Sequence, residues 1–177
     1  MSLLDLAKEI KDNFNPETDK VNSGGNRIPA GTYDTVIANV EFANYDSGWE
    51  NIVVTAEITT GELSGRKELV SFSFIEDWNG KAIHEYVLQR NMKLAQKLAF
   101  IGDYAFKETD FQDTYSVALA LKNIIGTQMV LTIKERENKK DKENPFREYE
   151  VDGYPNETDF APETDRGFPS DDDAPAL

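Results

Sequence analysis

From Thr32 to Phe42 apolar and polar residues alternate, with Val36, Ala38, Val40 and Phe42 on one side and Thr35, Ile37, Asn39 and Glu41 on the other. A period of two puts alternate side chains on opposite faces of a strand, so the first set is expected in the core and the second largely in water. Tyr45-Asp46-Ser47-Gly48 supplies a turn, and Ile52 to Thr60 repeats the alternation with Ile52, Val54, Ala56 and Ile58 against Val53, Thr55 and Glu57. The two segments are expected to pair as an antiparallel hairpin. Thr60-Gly61-Glu62-Leu63-Ser64-Gly65 then turns the chain into a third strand, Arg66 to Phe74, in which Val70, Phe72 and Phe74 share a core-facing side.

After Trp78-Asn79-Gly80 the period lengthens. Ile83, Val87, Arg90, Leu94, Leu98 and Ile101 recur at steps of three and four, which predicts a helix closed near Gly102. Asp113 is a good N-cap for a second helix through Val117, Ala120, Leu121 and Ile124, with Gly126 at its C-terminal end. Strand spacing returns with Met129, Leu131 and Ile133 against Val130, Thr132 and Lys134, and a charged loop, Glu137 to Asn144, leads to a fifth strand from Phe146 to Val151.

The ends of the chain read differently. Leu3, Leu4, Leu6 and Ile10 have roughly helical spacing, and the polar stretch Asn13 to Asn26, with Asn15-Pro16 and Ser23-Gly24-Gly25-Asn26, reads as a linker. Beyond Gly153 four prolines and a high density of acids leave too little apolar surface to offset the entropy of ordering, so a disordered tail is expected. Three units follow: an N-terminal helix and linker over 1–27, a folded domain over 28–153 and an acidic tail over 154–177. Three strands, helices, then two strands suit a mainly β fold with helices, namely a five-stranded OB barrel with its helical insertion between strands three and four. An open five-stranded sheet with helices covering one face is the alternative.

Charge changes the picture less than its sum suggests. The net charge of −14 weighs against phosphate binding at first sight. Eight acids and one base, Arg166, lie from Asp152 onward, and the rest of the chain holds 25 acids against 18 bases, so half the excess sits in the tail and a local basic surface remains possible. Cysteine is absent, which excludes disulfides and thiolate metal sites and fits a reducing cytoplasm. No run of eighteen apolar residues suggests a membrane span.

Catalytic chemistry has little support. His84 is the sole histidine, with no second metal-ligand type beside it and no nucleophile elbow to serve, and the body has no calcium-loop pattern; neither a metal nor a cofactor is expected. Binding unpaired nucleic acid needs flat rings for bases and cations for phosphates. Tyr45 and Trp49 flank the first hairpin turn, Trp78 follows the third strand, Arg66 and Lys67 enter that strand, and Lys134, Arg136, Lys139, Lys140, Lys142 and Arg147 surround the last hairpin. Tyr33, expected opposite the core face, is a weaker ring candidate. The same hairpin holds Glu135, Glu137, Asp141 and Glu143, so an ordinary solvated hairpin explains it equally well.

Ile28-Pro29-Ala30-Gly31-Thr32-Tyr33, Gly61-Glu62-Leu63-Ser64-Gly65-Arg66, the block Ile125 to Ile133 and Asn144-Pro145-Phe146-Arg147-Glu148-Tyr149 together resemble a family of phage single-stranded DNA-binding proteins, over roughly residues 28–154. The ending Asp171-Asp172-Asp173-Ala174-Pro175-Ala176-Leu177 is similar to the acidic, apolar-tipped tails of bacterial single-stranded DNA-binding proteins, although those commonly finish in Pro-Phe. The resemblance implies binding of single-stranded DNA with little sequence preference, in phage replication or recombination. It further implies recruitment of replication or recombination proteins through Asp171, Asp172, Asp173, Pro175 and Leu177, with self-association possible. The rival readings are an acidic interaction protein, such as a DNA mimic, and a structural phage component.

Overall fold

A computed structural model of the protein describes residues 2–13, 15–17 and 27–155. The acidic tail from Asn156, with its candidate partner-binding residues Asp171, Asp172, Asp173, Pro175 and Leu177, lies outside the described residues, as does most of the linker.

Helix α1 spans Leu3–Asn13 and leaves Leu3, Leu4, Leu6 and Ile10 exposed. The domain proper begins with β1 (Gly31–Asn44), β2 (Glu50–Ile58) and β3 (Lys67–Phe72), and ends with β6 (Gln128–Arg136) and β7 (Phe146–Gly153). These five strands form one antiparallel sheet in the order β3-β2-β1-β6-β7, so β1 is central and β3 and β7 are its edges. Two short strands, β4 (Asp77–Trp78) and β5 (Lys81–Ala82), make a separate hairpin. Helix α2 (Glu85–Ile101) and helix α3 (Thr114–Leu121) follow before the chain returns to the sheet.

The alternation read along β1 holds only in its second half. Thr35 and Ile37 are buried, then Val40, while Val36 and Ala38 are not, because the register with β2 shifts between Ile37 and Asn39. One extra residue in a strand reverses the inside–outside parity beyond it, so the core face passes from odd to even positions at this bulge. The bulge also anchors the approach to β6: the Ile37 amide donates to Thr127 O at 2.9 Å, and Gly126 N donates to Ile37 O at 2.7 Å. Tyr33 falls on the inward side for the same reason. It packs against the core and donates its hydroxyl to Pro29 O at 2.7 Å, so it is no candidate for an exposed ring.

On β2 and β6 the expected faces are the observed ones: Ile52, Val54, Ala56 and Ile58, and Met129, Leu131 and Ile133, are all buried. Phe72 is buried and Phe74 packs edge-on against it at 5.9 Å. Ala95, Leu98 and Ala99 of α2 and Val117, Ala118 and Leu121 of α3 complete the core. At the Arg90 turn the inward residue is instead Asn91, whose Nδ2 donates to Ser73 O at 2.8 Å and ties α2 to the end of β3; Arg90 is exposed. Asp113 does cap α3, its Oδ1 accepting the Ser116 amide at 2.7 Å, but that helix ends at Leu121 and a 3-10 turn, Lys122–Ile124, completes it. Asn79 and Gly80 both have positive φ, 51° and 75°, which is the two-residue hairpin turn that Asn-Gly favours and which joins β4 to β5.

No closed barrel forms: the described ladders leave β3 and β7 unpaired to each other. The sheet is nevertheless curled until its edges meet through side chains. Glu68 on β3 accepts from Arg147 Nη1 at 2.7 Å and from the Tyr149 hydroxyl at 2.6 Å, both on β7. Arg147 also reaches Glu135 at 3.1 Å and the carbonyl of Ile28.

Candidate nucleic-acid interface

The β1–β2 turn places its two rings by backbone chemistry. Tyr45 N donates to Trp49 O and Gly48 N to Tyr45 O, at 2.9 and 2.8 Å, with Gly48 at φ 83°, where a side chain would be strained. Tyr45 is half exposed. Trp49 and Trp78 meet edge to face with centroids 5.0 Å apart, and Trp49 Nε1 donates to Asn51 Oδ1 at 2.9 Å. Each indole is only partly buried, so the pair is braced by its own contact and still offers ring surface to solvent. Sequence spacing separates the two by 29 positions; the β4–β5 hairpin brings Trp78 back to the turn.

The candidate cations sit elsewhere. In the register of β1 with β2, Asn44 faces Glu50 and Thr35 faces Ile58, and β3 runs from Lys67, opposite Glu57, to Phe72, opposite Ile52. Arg66 and Lys67, together with the β6–β7 hairpin, therefore lie at the end of the sheet away from the tryptophans. The nine residues of β2 separate the two ends by about 25–30 Å at roughly 3.3 Å per residue. Between them the outward face of β2 and β3 carries Val53, Thr55, Leu69 and Ser71, with Leu69 58% exposed. Among the described residues no aromatic ring stands there, so stacking on this face is confined to the Tyr45–Trp49–Trp78 end.

Not all of those cations are available. Arg147, 7% exposed at its side chain, is held by Glu68, Glu135 and Ile28 and serves as the clasp between sheet edges, which takes it out of the set of phosphate contacts. Lys67 lies 3.8 Å from Glu57, and Arg136 lies 3.7 Å from Glu148 while resting on the Phe146 ring. Both pairs are solvent-exposed and so contribute little restraint. Lys134, Lys139, Lys140 and Arg66 have no ion pair among the described residues.

A second basic feature went unread in the sequence. Between the edges of β3 and β7, under α2, lies a cleft of about 520 Å³ whose wall includes Arg90, Lys93, Lys97 and Lys134. Lys97 is bonded to Glu150 at 2.7 Å and Asp152 at 2.9 Å, and these carboxylates hold its ammonium above its ordinary pKa. The spacing of 90, 93 and 97 marks one helix face and was a usable signal, but the position of Arg90 within the apolar stripe obscured it. Tyr86, 64% exposed and stacked with His84 at 5.6 Å, was likewise missed; nothing in the local pattern distinguished it from a core tyrosine.

Among the described residues no cluster of three or more His, Cys, Asp or Glu is placed to hold a metal, and no helix is long and apolar enough to cross a membrane. No protein-family model matches the chain, and no curated protein does.

Proposed function

We propose that this protein binds single-stranded DNA with little sequence preference, stacking bases on Tyr45, Trp49 and Trp78 and meeting phosphates with cations that include Arg66, Lys67, Lys134 and Arg136. The observation that carries the reading is the braced, partly exposed tryptophan pair beside the half-exposed Tyr45, at one end of a curled sheet whose other end carries free cations. Stacking on an aromatic ring contributes about 1–3 kcal/mol per base whatever the base, so two or three rings with a few phosphate contacts suffice for micromolar binding.

The strand order, with its helices between β3 and β6 and its edges joined at Glu68 and Arg147, supports reading the sheet as a five-stranded, partly open OB barrel. We read the fold that way. On this reading the acidic tail recruits replication or recombination proteins, a role carried by the sequence resemblance alone.

Trp49 and Trp78 are the only tryptophans, so intrinsic fluorescence reports on the site directly. Titration with oligo-dT is expected to quench it, and Trp49→Ala to weaken binding to every sequence tested by roughly tenfold or more, the equivalent of one lost stack. Equal affinity of the variant and the parent for oligo-dT, oligo-dC and mixed sequences would remove the stacking assignment. Absence of binding to any single strand at low salt would favour the acidic-interaction reading instead.

A further inference from the structure

We infer that the backbone of a bound strand leaves the tryptophan pair along α2 and passes through the cleft between the open edges of β3 and β7, with Arg90, Lys93 and Lys134 as its phosphate contacts. This rests on the single-strand reading above and assigns that strand a path distinct from the outward sheet face and the β6–β7 loop.

Three observations carry it. The first is charge. Of the five bases and two acids that line the cleft, Lys97 and Arg147 are taken up by carboxylates, and Arg90, Lys93 and Lys134 remain against Glu148, a local set of free cations in a chain with a net charge of −14. Lys97 and Arg147 are already neutralised by Glu150, Asp152, Glu68 and Glu135, whereas Arg90, Lys93 and Lys134 have no ion pair among the described residues.

The second is distribution. Arg90, Lys93 and Lys97 follow one face of α2 over seven positions, about 10 Å at 1.5 Å per residue, with Lys134 across the cleft on β6. Cations strung along a line fit a chain of phosphates better than one compact anion, for which they would converge on a point.

The third is continuity. The β4–β5 hairpin that carries Trp78 runs straight into α2, with Ile83 N donating to Glu76 O at 2.8 Å, and the exposed Tyr86 ring lies one turn before Arg90. The outward face of β1 and β2, by contrast, presents Glu41 and Glu57 and, among the described residues, no aromatic ring. A phosphate backbone is repelled there and attracted along the helix.

The test is a salt titration of oligo-dT binding by fluorescence anisotropy, using the full chain, the triple variant Arg90→Gln/Lys93→Gln/Lys134→Gln, and the loop variant Lys139→Gln/Lys140→Gln. A single strand releases counterions so that log K falls with log salt by about 0.7 per phosphate contact; three lost contacts should therefore flatten the slope by about 2 for the triple variant. The loop variant should stay near the parent. The three substituted side chains are exposed, and circular dichroism establishes that the variant is folded; the single reversal Lys93→Glu provides a second, milder perturbation that should weaken binding uniformly across sequences. A folded triple variant with the parental slope, or a loss confined to the loop variant, overturns the cleft path and leaves the binding function standing. A parent chain that binds no oligo-dT overturns the binding function, and the cleft path with it.

Discussion

Glu68 is the residue on which the curl of the sheet should depend most. One of its oxygens, Oε1, accepts two hydrogen bonds from the opposite edge, at 2.7 Å from Arg147 and 2.6 Å from Tyr149, in a site where the side chains of Glu68 and Arg147 are 13% and 7% exposed. Removing one member of a buried ion pair costs about 3–5 kcal/mol, because the other charge stays behind without its partner. Arg147 would keep Glu135 and the Ile28 carbonyl, so Glu68→Ala is expected at the low end, about 3 kcal/mol. For a domain of this size that corresponds to a drop in Tm of roughly 10–15 °C. Urea unfolding followed by tryptophan fluorescence measures it, and a cycle with Arg147→Leu separates the pair from the rest. Glu68→Leu/Arg147→Leu should recover part of the loss of either single change, since an apolar pair leaves no unpaired charge. A Glu68→Ala change below about 0.5 kcal/mol, as for an ordinary surface site, would show that the edges are not held together by this contact.

Other expectations follow from single residues. Burial, with the Glu68 carboxylate beside it, pushes the Tyr149 hydroxyl well above its ordinary pKa of 10. A group whose pKa is raised on folding contributes its full stability below the unfolded value and loses it as pH rises beyond, so stability should fall above about pH 10 by up to about 1.4 kcal/mol per pH unit, and Tyr149→Phe should remove that slope. A Cβ added at Gly102 would overlap the Ile124 side chain, so Gly102→Ala is expected to cost about 1–3 kcal/mol in thermal unfolding; an unchanged Tm would mean that the α2 terminus is freer than its packing shows. Deletion of residues 156–177, which spares β7 and the Lys97–Asp152 pair, should tighten oligo-dT binding at low salt if the tethered acids compete for the same cations, and equal affinity of the truncated chain would remove that competition.

Local pattern was enough for most of the elements. The alternation on β2 and β6, the longer period of α2, the Asp113 cap and the turn glycines each follow from interactions within a few residues, and a sequence displays those directly. So does the order of the strands, which limited the architecture to a small barrel or an open sheet with helices; the five-stranded antiparallel sheet fits within that pair. What the pattern of β1 could not show was the bulge at Ala38, because a parity change depends on how the partner strand is registered and on the Gly126–Thr127 segment that docks there from 90 residues away. Asn79-Gly80 is a hairpin signal in itself, but the two-residue strands on either side of it are too short to show an alternation.

The candidate site divides the same way. That rings and cations existed near turns was plain from the chain. Which of them meet was not: Trp49 and Trp78 join only because a two-stranded hairpin folds back, and Arg147 leaves the set of free cations only because Glu68, 79 positions away, reaches it across the gap between edges. Residue types and periods record local energetics, which is why the elements could be read. Pairing of distant charges and the sharing of one cleft by α2, β6 and β7 arise from the way the sheet curls, and curl is a sum of twist, bulge and edge contacts that no single stretch of sequence contains.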